Sequence, residues 1–121
     1  MTIEVRRNRK GRAVYATRTF VKGETIEIVH VIVDGLPWSR RAHHPCNAWI
    51  YEFFGKCAIA LGAGSLYNHS YTPNADWVCR KRSQTIRFYA TRTIKLGEEI
   101  LINYSGAEGP GDDDIEFEVL R

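Results

Sequence analysis

Short runs of alternating or β-branched residues, broken by glycines and charged turns, recur along the chain and predict strands rather than helices. Ile3 to Val5, Thr25 to Val33, Cys57 to Leu61 and Ile115 to Val119 read as strands, and Ala75 to Cys79 and Thr85 to Ala90 as a hairpin turning through Arg80 to Gln84. The turn residues Asp34-Gly35-Leu36-Pro37 are expected to end the second strand. One short helix is expected over Asn47 to Phe54, where Trp49 and Phe53 stand at i, i+4 and would turn inward with Ile50 and Phe54. Gly106 to Asp114 is small and acidic and reads as a loop. The predicted class is mainly β, built from many short strands with little helix.

The pattern repeats itself. Tyr15-Ala16-Thr17-Arg18-Thr19 returns as Tyr89-Ala90-Thr91-Arg92-Thr93, and Gly23-Glu24 returns as Gly97-Glu98 at the same offset. Ile26 and Ile28 return as Ile100 and Ile102. Each copy predicts a strand, a turn at Lys22-Gly23 or Leu96-Gly97, and a second strand. Glycine suits such a turn because a positive φ is resisted by residues with a Cβ. Two copies are too few for a solenoid, so the repeat describes two similar β-units within one domain.

The length of 121 residues supports one core and hence one domain over 1–121. No apolar run reaches the roughly 20 residues needed to cross a bilayer, and residues 1–10 contain no signal-peptide core. An intracellular, cytoplasmic protein without a membrane partner is therefore expected. Cys46, Cys57 and Cys79 are odd in number and none forms a Cys-x-x-Cys pair, so reduced thiols are expected and no metal site, even with His43-His44 nearby. The formal charge of +3 is concentrated in Arg6, Arg7, Arg9, Lys10 and Arg12 and in Arg80-Lys81-Arg82, with Asp112-Asp113-Asp114 as an acidic counterpart. A nucleic-acid surface is one reading of those clusters, but no RNA-binding or helix-turn-helix signature accompanies them.

Two segments stand outside the periodic pattern. Leu66-Tyr67-Asn68-His69-Ser70-Tyr71-Thr72-Pro73-Asn74 sets an amide, an imidazole and a hydroxyl side by side between tyrosines. Gly97-Glu98-Glu99-Ile100-Leu101-Ile102-Asn103-Tyr104 is a strand that ends on a phenol able to project into a cleft. In this order, and with the earlier Gly-Glu unit, the segments resemble the signature of the SET domain, the S-adenosylmethionine-dependent protein-lysine methyltransferase module. The resemblance runs from about Lys10 to Phe117 and is closest to the small free-standing forms of bacteria and viruses.

That resemblance implies a β-clip fold of several small sheets. Its core would span about 10–104 and its closing segment 105–121, with the stretch ending at Tyr104 threaded beneath a preceding loop as a pseudoknot. It implies Tyr104 and Tyr51 as the catalytic, channel-lining phenols. Asn68 and His69, flanked by Tyr67, would lie against S-adenosylmethionine, Asn68 through its amide and backbone and His69 mainly through its backbone. Gly11-Arg12-Ala13 would be the turn that approaches the cofactor. Ala13 stands where the family has a second glycine; its methyl group would crowd the place where the cofactor comes close and reduce affinity, while backbone hydrogen bonding would survive if φ is negative. With no cysteine-rich zinc segment after the domain, Phe117 would pack on the adenine while Ile115 and Val119 anchor its strand.

The implied reaction is methyl transfer to a lysine of a protein or peptide, histone or ribosomal, with S-adenosylhomocysteine as product and no nucleic acid required. A viral source would add the host nucleus as a location, and a homodimer is open. Two alternatives stand beside it: a catalytically weak SET-like binding module, for which Ala13 is the clue, and a basic β-rich nucleic-acid-binding domain.

Overall fold

The computed structural model describes residues 2–104. The expected loop from Gly106 and the strand Ile115 to Val119, with Phe117, lie outside the described residues. Nine strands are described: β1 (Ile3–Asn8), β2 (Gly11–Ala16), β3 (Thr25–Pro37), β4 (Ile50–Phe53), β5 (Lys56–Ala60), β6 (Asn68–His69), β7 (Ala75–Arg80), β8 (Thr85–Ala90) and β9 (Leu101–Ile102). A 3-10 helix, Trp38–His43, is the sole helical element among the described residues. β1 and β2 form an antiparallel hairpin, β4-β5-β3-β8-β7 a five-stranded sheet, and β6 and β9 a short parallel pair. This is the mainly β arrangement of the β-clip fold.

Two local expectations give way to tertiary pairing. Residues 50–53 are not helical: β4 pairs antiparallel with β5, Tyr51 opposite Ala58 and Phe53 opposite Lys56. Phe54 (φ 52°) and Gly55 (φ 85°) make the tight turn between them, with the two positive φ values that match a hairpin's twist. Phe53 enters the core from β4, while Trp49 lies in the turn before the strand and is 53% exposed, not turned inward. The strand containing Thr25 also does not stop at Val33. It continues to Pro37 through a register shift against β5, where the Asp34 carboxylate accepts the Leu36 N–H at 2.9 Å. The Asp-Gly pair bends the strand there, and Pro37, having no N–H to contribute, closes it.

A second irregularity matters more. Between Thr25 and Glu27 the pairing with β8 slips, so that Thr25 faces Tyr89 but Glu27 faces Phe88. A bulge changes which face successive side chains occupy. Ile26 is buried before it, and Glu27 joins the core-facing row of Val29 and Val31 after it.

The repeat becomes a reciprocal contact. Ala16 N–H donates to Glu98 O and Gly97 N–H to Ala16 O; at the equivalent positions Gly23 N–H donates to Ala90 O and Ala90 N–H to Glu24 O, all at 2.7–2.9 Å. Gly23 and Gly97 have φ of 90° and 93°, as the turns require. In both copies the Gly-Glu carboxylate accepts a backbone N–H three residues earlier, Val21 at 2.8 Å and Lys95 at 2.6 Å.

This docking carries residues 99–102 into the bend made by residues 68–74. β9 runs parallel to β6, and Ser70 N–H donates to Ile102 O. From the other end of the bend, Asn74 donates through its N–H to Leu101 O and through its amide to Glu99 O, while its Oδ1 accepts the Leu101 N–H at 2.8 Å. The fully buried Asn74 thus serves as a side-chain strand partner, and the chain is threaded.

Candidate active site

β6 and β9 bring the two chemical segments together. Asn68 Nδ2 donates to Glu99 Oε2 at 2.8 Å and to the Arg12 carbonyl at 3.2 Å, so one amide ties the Asn-His-Ser segment to the start of β2 and to the Gly-Glu-Glu segment. Glu99 also receives Lys10 Nζ at 3.2 Å and Asn8 Nδ2 at 3.4 Å. Its carboxylate is the hub at which the hairpin turn and Asn68 meet. Among the described residues Asn68 Oδ1 makes no hydrogen bond and remains open as an acceptor.

His69 accepts the Tyr104 N–H on Nδ1 at 3.0 Å, which puts its proton on Nε2. That nitrogen is buried without a hydrogen-bond partner. The ring lies against Tyr71 (centroids 4.4 Å) and Tyr104 (5.1 Å), so the imidazole clamps the end of β9.

The two candidate phenols are held in the same way. Tyr104 Oη donates to the Tyr67 carbonyl at 2.8 Å, and Tyr51 Oη donates to the Gly64 carbonyl at 2.7 Å. Burial pushes the Tyr51 hydroxyl well above the ordinary phenol value, and burial followed by the charge of Glu99 raises Tyr104. Both therefore keep their protons. Tyr67 itself is turned into the core: its ring is 1% exposed, lies 4.6 Å from Phe88, and donates its hydroxyl to Glu27 Oε1 at 2.7 Å. What Tyr67 presents toward Tyr104 is its carbonyl.

Tyr51 and Tyr104 open onto one cavity of about 460 Å³, walled also by Trp38, Trp49 and Trp77. Trp77 meets the Tyr51 ring edge-on at 5.2 Å, which fixes the phenol's direction. Gly11, Arg12, Ala13, Asn68 and His69 do not line this cavity; they gather at the β2–β6 junction, joined to it through Tyr67 and Tyr104. The site thus has an aromatic half and a polar backbone half.

Gly11 has φ of 112° and open space where a Cβ would stand. Ala13 is fully buried, and its φ is negative, since Phe54 and Gln84 alone among the described non-glycine residues have positive values. The alanine fits the strand without strain.

Three contributors were not anticipated from sequence. Trp77 sits in a stretch that reads as a strand and Trp38 directly follows a predicted turn, and nothing in their spacing marks them as cavity walls. Glu99 did carry a signal: its equivalent in the first copy of the repeat is Thr25, so the carboxylate is where the repeat departs from itself.

A family model for the SET domain matches residues 11–105. The chain belongs to the SET-domain family. It is 34% identical over 99 residues to a histone-lysine N-methyltransferase of Schizosaccharomyces pombe, named as H3 lysine-37 specific, covering 79% of this chain and 67% of that protein. It is 40% identical over 63 residues to a SET domain-containing protein of Acanthamoeba polyphaga mimivirus, covering 52% of this chain and 23% of that protein. The structure superposes on that of a Plasmodium falciparum protein designated a histone methyltransferase with a TM-score of 0.68 and 25% identity, covering 88% of this chain and 96% of that one. Membership of this SET-domain family implies a methyltransferase-type chain with the capacity to bind S-adenosylmethionine.

Proposed function

We propose that this SET-domain protein transfers a methyl group from S-adenosylmethionine to the side-chain amine of a lysine in a protein substrate, with histones the first substrate class to test. The observation that carries the reading is the Tyr104 hydroxyl, committed as a donor to the Tyr67 carbonyl at the mouth of an aromatic cavity. Its oxygen keeps lone pairs that can accept an amine N–H and hold the nitrogen in line.

The residues present suit the cofactor. Gly11 leaves room for a close backbone approach, Asn68 offers an unengaged Oδ1 for an ammonium, and Arg12 is an exposed cation for a carboxylate. The negative φ of Ala13 supports this reading, since its backbone keeps an ordinary strand conformation. When bound, S-adenosylmethionine supplies a sulfonium methyl as the electrophile. The chain's own task is to align and desolvate the amine. An unperturbed lysine, with a pKa of about 10.4, is almost wholly protonated at neutral pH, and both burial between Tyr51, Trp77 and Tyr104 and a nearby cation favour its neutral form. The aromatic walls suit the aliphatic stem of the lysine, and alignment of this kind is worth several orders of magnitude in rate. The names of two of the relatives support histones as the substrate class.

The test is transfer of labelled methyl groups to core histones and to a total protein extract, with modified lysines mapped by mass spectrometry and cofactor binding measured by calorimetry. Incorporation on lysine with stoichiometric cofactor binding is the expected result. Absence of both would sink the proposal.

A further inference from the structure

The two candidate phenols are oriented by carbonyls of one short loop. Gly64 O receives Tyr51 and Tyr67 O receives Tyr104, and both lie within the stretch from Gly62 to Tyr67 that connects β5 to β6. A phenol is only as well placed as the carbonyl it donates to, so whatever holds this loop sets both hydroxyls at once.

Glu27 holds it from below. Its carboxylate accepts the Tyr67 hydroxyl at 2.7 Å at the end of the loop, and the Ala63 backbone N–H near the loop's start faces it electrostatically. The fit is close: a Cβ built on Gly62, whose φ is 62°, would come within 3.2 Å of Glu27 Oε2 and 3.0 Å of Val29 Cγ1. The β3 bulge is what delivers the carboxylate there, in a core-facing row otherwise filled by Val29 and Val31. Packing alone would be served by another valine. Burial raises the Glu27 carboxyl above its ordinary value, against the opposing pull of the Tyr67 hydroxyl and the Ala63 N–H, so an acid at this place carries a cost that a structural filler would not.

We infer that Glu27 is the positioning residue of the active site, fixing the Gly62–Tyr67 loop so that its Gly64 and Tyr67 carbonyls hold the Tyr51 and Tyr104 hydroxyls at the reacting amine. Glu27 does not touch the amine and acts through the loop. The inference rests on the methyltransfer reading for its consequence in turnover, but the geometric part stands independently of it.

Moving either phenol by an ångström misaligns the nitrogen, and displacements of that order cost up to about a hundredfold in rate. It also changes the room left around a nitrogen that has already gained one methyl group. Loss of the Glu27 contacts is therefore expected to lower kcat more than it raises KM, and to change the ratio of mono- to more highly methylated product.

The experiment compares wild type, Glu27→Ala, Glu27→Gln and the core trim Ile94→Val, which loosens the buried core away from the loop. Each is labelled at the tyrosine ζ-carbon for NMR, and each is assayed on core histones for kcat, KM and product ratio. Glu27→Ala is expected to lose about a hundredfold in kcat and to shift the Tyr51 and Tyr104 ζ-carbon signals. Glu27→Gln is isosteric, keeps one acceptor for Tyr67, and is expected to fold and to recover part of the kcat with smaller shifts in the same two signals. Ile94→Val is expected to lower thermal stability while leaving signals and product ratio as in wild type. Unmoved Tyr51 and Tyr104 signals in folded Glu27→Gln would overturn the inference, as would a change in product ratio equal to that of Ile94→Val. If wild type methylates nothing while the two signals still move with Glu27, the methyltransfer reading fails and the positioning of the phenols by Glu27 stands.

Discussion

Phe20 and Ile94, equivalent positions in the two copies of the internal repeat, are hydrogen-bonded to each other: Phe20 N–H to Ile94 O at 2.8 Å and Ile94 N–H to Phe20 O at 2.9 Å. Both are fully buried. The repeat therefore pairs about itself, and this pairing is what brings the second copy's strand beneath the Asn-His-Ser loop. Phe20 also carries Arg18 over its ring at 4.1 Å.

Truncating that contact tests the fold. Phe20→Ala is expected to destabilise the protein by about 3–5 kcal/mol, the usual loss for a buried phenylalanine. Urea denaturation measures it; a loss under about 1 kcal/mol would mean that the copies are held together elsewhere.

Tyr104→Phe removes one hydroxyl and leaves the ring against His69. Under the proposed mechanism kcat falls by about a hundredfold or more while cofactor affinity is retained, as for other positioned hydrogen-bonding groups. Steady-state kinetics beside calorimetry separates the two quantities, and wild-type turnover in the variant would remove Tyr104 from the reaction.

Asn68→Ala deletes the amide that joins Glu99 and the Arg12 carbonyl, together with the open Oδ1. Cofactor binding is expected to weaken by about 1–3 kcal/mol, the range for a lost buried polar partner. Calorimetric affinity equal to wild type would move the cofactor away from this junction.

Ala13→Gly restores the glycine typical of the family. Because Ala13 is buried in β2 with a negative φ, the change is expected to cost about 0.5–1 kcal/mol of stability through backbone entropy and to leave cofactor affinity unchanged. A tenfold gain in affinity would show that the methyl group crowds the cofactor.

Glu27 makes stability depend on pH with a defined sign. Its folded-state pKa is raised, chiefly by burial, so the native state holds the proton more tightly than the unfolded chain. Its contribution is fully present below the unfolded carboxyl value of about 4.3 and is lost as pH rises through the folded value. The stability difference between wild type and Glu27→Gln, followed by urea denaturation from acid to neutral pH, is expected to move against wild type across that window. A difference that stays flat would contradict the raised value.

Much of the architecture is a matter of local pattern. The strands at Ile3, Thr25, Cys57, Ala75 and Thr85, the glycine turns at Gly23 and Gly97, and the repeat are visible in sequence because alternation and positive-φ turns are properties of neighbouring residues. The order Asn68-His69-Ser70, then Gly97-Glu98-Glu99, then Tyr104 was legible in the same way, as residue types that no periodic element explains. Residues 49–53 show the limit. The i, i+4 spacing of Trp49 and Phe53 is compatible with a helix, and only the hairpin turn at Phe54-Gly55 and pairing with β5 make 50–53 a strand.

The site itself was decided in three dimensions. That Asn68 meets Glu99, that Trp77 braces Tyr51, and that a bulge turns Glu27 under the loop all depend on contacts between residues far apart in the chain. A carboxylate on a strand reads as solvent-facing when the alternation is counted without the bulge, because a slip of one residue exchanges the two faces. Local pattern was enough for most strands, for the turns and for the order of the chemical segments, because these are properties of neighbouring residues. Which side chains share a cavity follows only from the folded chain, because register, threading and burial are set by partners that local spacing does not contain.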